Sequence, residues 1–285
     1  MKLAALGEFA TGKSSYMVVL YGALVNKTAD PMVLVEVLDE VGFLNRGLQE
    51  LAANRRVTRT DSESEGHVRL CATSPQGELT VDLPDRSGER LKMMINGRTW
   101  DPELQTALHG LDGAMLFLHV LQFDPGHPAE ELDLLLAGEN PPQLDPGPAE
   151  EDPVPWEPSL MPSDVRAIDL LQALLTQRDA PLPLAVVLSA WDCASGEHPP
   201  AAWLAANAPL LVQFLDTHQD ELPHTVFGVS AQGFDFNNLD RTGGELTASD
   251  PWDRASVLDC DGASVSLAQP LLWLAEQQPD GEDGG

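Results

Sequence analysis

Short apolar runs alternate along this chain with longer stretches whose apolar residues recur every three or four positions. The first kind predicts buried strand and the second helix. Leu3-Ala4-Ala5-Leu6 predicts a strand over 2–6, and the apolar stretch from Tyr16 to Tyr21 predicts a buried helix over 13–26. A short strand follows at 32–36. Val41, Leu44, Leu48 and Leu51 fall on one face of a helix over 40–54. Arg55 to Glu65 is polar and unpatterned, which predicts a loop. Two alternating runs, 67–72 and 78–83, flank Thr73-Ser74-Pro75-Gln76-Gly77 and predict a hairpin. A helix over 101–109 and a strand over 113–120 come next. Ser163 is expected to cap a helix that runs to Gln177, with Ile168, Leu171 and Leu175 at helical spacing. The remainder predicts a strand at 184–188, a helix at 201–218, a strand at 225–229, a polar loop to about Asp253 and a closing helix at 266–276.

This order predicts an α/β fold: a mostly parallel six-stranded sheet with helices on both faces, the hairpin supplying one antiparallel edge strand. One domain is expected over 1–278, with 279–285 as a disordered tail. Within it, 124–162 is rich in proline and acid and too long for an ordinary connection, so it is expected to be an irregular insertion.

Composition narrows the function. The 285 residues are 43% hydrophobic, enough for one sizeable core, and no apolar run approaches the ~20 residues of a membrane span. The chain enters its first strand with no charged leader, and Cys71, Cys193 and Cys260 are odd in number and far apart. Both features predict a cytoplasmic protein with reduced thiols. The seven histidines show no metal-ligand spacing, so no zinc site is expected. The net charge is −29, and its distribution is uneven: residues 1–99 hold 12 Lys and Arg against 13 Asp and Glu, whereas residues 100–285 hold 4 against 32. Contact with nucleic acid or anionic lipid through the acidic part is disfavoured.

The chemistry is concentrated in four short motifs. Residues 7–14, Gly-Glu-Phe-Ala-Thr-Gly-Lys-Ser, match the phosphate-binding pattern G-x-x-x-x-G-K-[ST] between a predicted strand and a predicted helix. Gly7 and Gly12 let successive backbone N–H groups curl around a phosphate. Lys13 is placed to reach β- and γ-phosphates and Ser14 to bind Mg²⁺. Thr11 and Ser15 complete the expected nucleotide contacts of this loop. Asp85-Arg86-Ser87-Gly88-Glu89 has the form D-x-x-G, with the aspartate expected at a strand end as a Mg²⁺ ligand and the Gly88 N–H at the γ-phosphate. Asp82 competes with Asp85, which is preferred because a glycine follows three residues later. Ser189-Ala190-Trp191-Asp192 and Ser230-Ala231-Gln232 each follow a predicted strand. The Asp192 carboxylate can accept both N1–H and N2–H of guanine, donors that adenine does not supply.

With these motifs in this order, the chain resembles the Ras-like, translation-factor-related class of P-loop GTPases. The phrases Val-Val-Leu-Ser-Ala-Trp-Asp and Gln-Pro-Leu-Leu-Trp-Leu are similar to the bacterial double-GTPase group, whose members are thought to act in multi-component conflict systems. The resemblance implies a site for GTP or GDP with Mg²⁺ as cofactor and two nucleotide-sensing switch loops. Base contacts are implied for Ser189, Asp192, Ser230, Ala231 and Gln232. Metal contacts are implied for Ser14, Asp85 and a first-switch threonine, Thr60 in preference to Thr58. Lys13, Gly88 and Glu89 carry the expected catalysis. A protein partner is expected, a second GTPase being one candidate.

The chain also departs from that pattern. Ala190 stands where lysine is usual in the base-reading motif, Glu89 where Ras-like enzymes place a glutamine, and Phe9 where they often keep a small residue. Each points to slow turnover. Trp191 is expected to pack in the core. Eight of the 16 basic residues fall between Arg55 and Arg98, and Arg55, Arg56, Arg59, Arg86 and Arg90 are candidates for an arginine finger in cis. The leading expectation is slow GTP hydrolysis used as a switch. The alternative is a nucleotide-binding interaction module without useful turnover. A kinase is disfavoured, because both base-reading slots are filled in order.

Overall fold

Alternation along the parallel strands divides the core into two layers. In β1 (Leu3–Leu6), Leu3 and Ala5 face one layer while Ala4 and Leu6 face the other. The same division holds in β5 (Gly113–His119), where Met115 and Phe117 oppose Ala114, Leu116 and Leu118. It recurs in β6 (Leu184–Ser189), where Ala185 and Val187 oppose Leu184, Val186 and Leu188. A strand buried on both faces has no polar side to show, which is why each is a continuous apolar run in the sequence. These contacts belong to a computed structural model that describes residues 1–8, 10–37, 41–55, 57, 66–85, 96–97, 109–124, 161–178, 180–194, 198–233 and 250–278.

With β7 (His224–Ser230), β8 (Ser256–Leu258) and β9 (Ser264–Val265), these strands form a six-stranded sheet ordered β1-β5-β6-β7-β8-β9. The first four are parallel, and β8 and β9 run antiparallel. One face is covered by α1 (Lys13–Val25), α2 (Gly42–Ala52) and α7 (Gln269–Glu276), the other by α3 (Ser163–Leu175), α4 (Pro200–Asn207) and α5 (Pro209–Thr217). The fold is the expected α/β arrangement. Helix α1 is buried continuously from Tyr16 to Leu24, and the Tyr16 hydroxyl donates to the Leu267 carbonyl at 2.8 Å. Two glycines set its approach to neighbours. A Cβ on Gly22 would lie 2.9 Å from Trp252 Cε3, and one on Gly47 would lie 2.5 Å from Val18 Cγ2. Trp252 belongs to the four-residue α6 (Pro251–Arg254).

Three expectations need correction. The hairpin of β3 (Gly66–Ser74) and β4 (Gly77–Asp85) is not the antiparallel edge of the main sheet; it joins β2 (Val33–Val37) in a separate three-stranded antiparallel sheet, with β4 beside β1. The antiparallel edge is β8 and β9, too short to leave a periodic signal, and only Val257 in β8 is fully buried. The helix expected over 201–218 is two helices. Pro209 disfavours helical backbone at the residue before it, and Ala208 breaks at φ −132°, ψ 55°. Ser163 does not cap α3. The N-cap is Pro162, and Ser163 instead bonds back to Asp124: its N–H donates to the Asp124 carbonyl at 2.7 Å and its Oγ accepts the Asp124 N–H at 2.9 Å. The two ends of the stretch 124–162 are therefore tied together. The interior of that stretch, the helix expected at 101–109 except His109, and the tail 279–285 lie outside the described residues.

Leu171 is fully buried in α3 against β5 and β6. Leu171→Ala should destabilise the fold by ~2–5 kcal/mol through the lost apolar contact and the cavity left behind. Urea unfolding of the variant checks this, and an unchanged midpoint would contradict the assignment of α3 to the core.

Candidate functional site

The loop from β1 to α1 is built for close backbone approach. Gly7 has φ +140° and Gly12 has φ +87°, conformations that glycine adopts without strain. At Gly7 a Cβ would meet the Phe117 carbonyl at 2.6 Å, and at Gly12 it would lie 3.1 Å from the Ser189 side chain. Ala10 also has positive φ, at 60°. The loop ends on the N-terminus of a 13-residue helix that has no side-chain cap and no acid in its first turn. Its partial positive charge and first N–H groups are thus directed toward the loop.

Lys13 is 6% exposed and its ammonium is turned inward. Nζ donates to the Gly7 carbonyl at 2.8 Å, to the Glu8 carbonyl at 2.7 Å and to Thr11 Oγ1 at 3.2 Å. Thr11 Oγ1 in turn donates to the Glu8 carbonyl at 2.9 Å. Two short bonds to main-chain carbonyls hold the charge in place, and the longest of the three is the easiest to exchange for a phosphate oxygen. Ser14 follows in the first turn of the helix, half-buried.

The ends of β6 and β7 close over this loop. Ser189, 5% exposed, donates from Oγ to the Thr11 carbonyl at 2.7 Å, so the first residue of one expected base-reading motif buttresses the loop. Ala190 adopts the left-handed region at φ 55°, ψ 40° and starts a 3-10 turn over Trp191–Cys193. This turn carries Asp192 to the surface. Its Oδ1 accepts the Ser230 hydroxyl at 2.6 Å, and its Oδ2 accepts the Cys193 thiol at 3.7 Å. Trp191 packs inward, as expected: it stands edge-on to Trp203 at 6.3 Å between ring centroids, and a Cβ on Gly228 would lie 2.7 Å from its ring. Gln232 Nε2 donates to Ser15 Oγ at 3.4 Å, and Ala231 lies against the core layer of α1. Gly7, Thr11, Gly12, Lys13, Ser14, Ser15, Ser189, Asp192, Ser230, Ala231 and Gln232 thus gather at one end of the main sheet. Crevices beyond the C-terminal ends of parallel strands are where α/β folds bind ligands.

Residues 4–274 match the family model Double-GTPase 1. The chain belongs to the Double-GTPase 1 family. A search of curated proteins finds no match. Family membership agrees with the double-GTPase resemblance and with the α/β architecture around the loop. Among the described residues, no helix of this Double-GTPase 1 member is long and apolar enough to cross a membrane.

The remaining expected residues are only partly placed. Asp85 is the last residue of β4, whereas Asp82 lies inside that strand opposite Arg69. Thr58, Thr60, Gly88, Glu89 and Phe9 lie outside the described residues, as do Arg56, Arg59, Arg86 and Arg90; Arg55 is exposed beyond the end of α2. Roles for one residue of the loop and one residue beside it were not anticipated. Glu8 and Arg166 form an ion pair, Nε to Oε1 at 2.6 Å, in a small cleft that Gly7, Thr11, His119 and Phe123 help to line. One signal was available in the sequence: Arg166 is the sole Lys or Arg between Arg98 and Arg178, and it falls among the buried positions of α3.

Asp164, two residues before it, is 1% exposed. Burial pushes its carboxyl above the usual 3.8, the Val165 N–H on Oδ1 at 2.8 Å pulls it back, and the charge of Asp124 adds to the rise. The folded state therefore binds this proton more tightly than the unfolded chain does. The associated stability is full below the ordinary carboxylate range and is lost as pH rises through the folded value. Asp164→Asn stays neutral, so its urea midpoint should gain on the wild type as pH rises above the ordinary carboxylate range. A gap that stays constant or narrows over that rise would contradict the assignment.

Proposed function

We propose that this protein binds GTP at the loop between β1 and α1, hydrolyses it slowly to GDP and acts as a nucleotide-dependent switch. The observation that carries the reading is the Lys13 ammonium, held by the Gly7 and Glu8 carbonyls at the N-terminus of α1. A cation fixed there can meet an incoming phosphate by exchanging its 3.2 Å bond to Thr11 Oγ1. The tie between Asp192 and Ser230 supports base reading, because it orients a carboxylate at the surface between the two strand ends.

The donors available suit a hard cation, which prefers oxygen ligands. The Ser14 hydroxyl and the Asp85 carboxylate at the end of β4 would hold Mg²⁺, with Thr60 as the switch ligand. When bound, the metal supplies charge neutralisation at the β- and γ-phosphates. Lys13 would hold those phosphates by its ammonium. The Gly88 N–H is proposed to meet the γ-phosphate, and Glu89 to accept a proton from the attacking water. A carboxylate there repels the phosphate, which is the physical reason to expect slow turnover. None of the three cysteines is in a disulfide, which suits a reducing cytoplasm. A role in a bacterial multi-component conflict system, with a second GTPase as partner, is part of the same proposal.

The second reading, a nucleotide-binding interaction module without turnover, is favoured by Ala190 and Glu89. Single-turnover hydrolysis of radiolabelled GTP separates the two. Lys13→Ala should leave the fold intact and lower GTP affinity on the order of a hundredfold, since a charge-assisted hydrogen bond is worth ~1.5–3 kcal/mol. Calorimetry that finds wild-type affinity in a folded Lys13→Ala variant removes the phosphate-loop assignment. Asp192→Asn should lower GTP affinity about tenfold to a hundredfold and shift preference toward xanthosine triphosphate. Equal binding of ATP and GTP by the wild type in competition assays would mean that Asp192 does not read the base.

A further inference from the structure

Arg166 is 8% exposed on the face of α3 that also buries Ala167 and Leu170. Its Nε lies 2.6 Å from Glu8 Oε1 as an ion pair without hydrogen-bond alignment, so Nε and Nη2 are both buried without a hydrogen-bond partner among the described residues. A guanidinium in such a place carries a desolvation cost that one ion pair does not clearly repay, and an apolar side chain of similar length would pack there at less expense. A buried ion pair is therefore weak grounds for reading this residue as a stabiliser of the fold. Its partner belongs to the phosphate loop, and the Glu8 main chain does a second job: its carbonyl receives the Lys13 ammonium at 2.7 Å.

Charge points the same way. The described loop carries one cation, Lys13, and one carboxylate, Glu8. Without Arg166, Glu8 would cancel Lys13 and oppose every phosphate brought to the loop. With Arg166, a net positive charge remains. We propose that Arg166 is a positioning residue for nucleoside triphosphate recognition: it holds the Glu8 side chain, keeps the Glu8 carbonyl on Lys13, and neutralises the carboxylate that would otherwise repel the terminal phosphate. This rests on reading the loop as a nucleotide site. It acts through Glu8 and requires no contact between Arg166 and the nucleotide. GTP brings one more negative charge than GDP, so the effect falls more heavily on the triphosphate.

Calorimetry on the full chain with Mg²⁺, GDP and a non-hydrolysable GTP analogue tests it in the wild type, Arg166→Ala, Arg166→Lys, Glu8→Gln and the Glu8→Gln/Arg166→Ala pair. Arg166→Ala should lower affinity for the GTP analogue about tenfold more than affinity for GDP. Arg166→Lys, which keeps the charge, should stay within about threefold of the wild-type ratio. Adding Glu8→Gln to Arg166→Ala should restore that ratio, because the unpaired carboxylate is gone. Equal losses for both nucleotides without rescue would make Arg166 a packing residue and overturn the proposal. So would unchanged affinities, or a double variant weaker than Arg166→Ala alone. Should Arg166→Ala fail to fold, Glu8→Gln decides: a ratio shifted toward the GTP analogue supports the charge argument, and an unshifted or lower ratio overturns it. A wild type that binds neither nucleotide would instead reject the nucleotide site itself, an outcome separate from all of these.

Discussion

A buried ammonium must be given acceptors, and much of the site follows from supplying them to Lys13. At 6% exposure the charge has lost most of its water, and two main-chain carbonyls and a threonine hydroxyl stand in for it. Carbonyls of consecutive residues can converge on one point only if the chain curls tightly, hence the positive φ at Gly7 and Gly12. A loop so shaped must be held from outside. Phe117 of β5 closes on Gly7, and the Ser189 hydroxyl on β6 takes the Thr11 carbonyl. The cation, the loop and the two neighbouring strand ends form one interdependent set.

That set sits on a rigid base. Four parallel strands buried on both faces bring their C-terminal ends to one side of the sheet, and α1, buried along nearly its whole length, fixes the direction from which its N-terminus meets the loop. Side chains on such elements are oriented by packing rather than by the flexibility of a loop. Trp191 illustrates this: its indole is lodged against Gly228 and Trp203, and the residue after it is thereby carried out to the surface as Asp192. Ala190 takes the left-handed backbone needed for that turn, a conformation costly for a residue with a Cβ. Local strain at the lip of a site is retained only where the surrounding packing over-determines it.

Elements longer than about one helical turn or strand mode were legible because burial imposes a period on sequence. β1, β5, β6 and β7 were readable as apolar runs and α1, α2, α3 and α7 as helical spacings, each close to the observed ends. What escaped was short or set by a neighbour. β8 is three residues long, and the break between α4 and α5 depends on Pro209 acting on the backbone of Ala208. The separate sheet of β2, β3 and β4 depends on a pairing between β2 and β3 that alternation alone cannot reveal, since periodicity says which face is buried but not which strand lies alongside.

By itself the sequence determined the local chemistry: a glycine pattern that permits the loop, a lysine at its end, a carboxylate after one strand and a serine after the next. These are properties of short segments, readable because spacing dictates backbone conformation within a few residues. Tertiary structure alone decided which segments meet. The Ser230 hydroxyl reaches Asp192 because β6 and β7 are adjacent and parallel, and Arg166 reaches Glu8 across a sequence gap wider than half the chain because α3 packs on the face from which the loop emerges. Contacts between distant segments are set by the packing of whole faces, and no pattern within either segment encodes its partner.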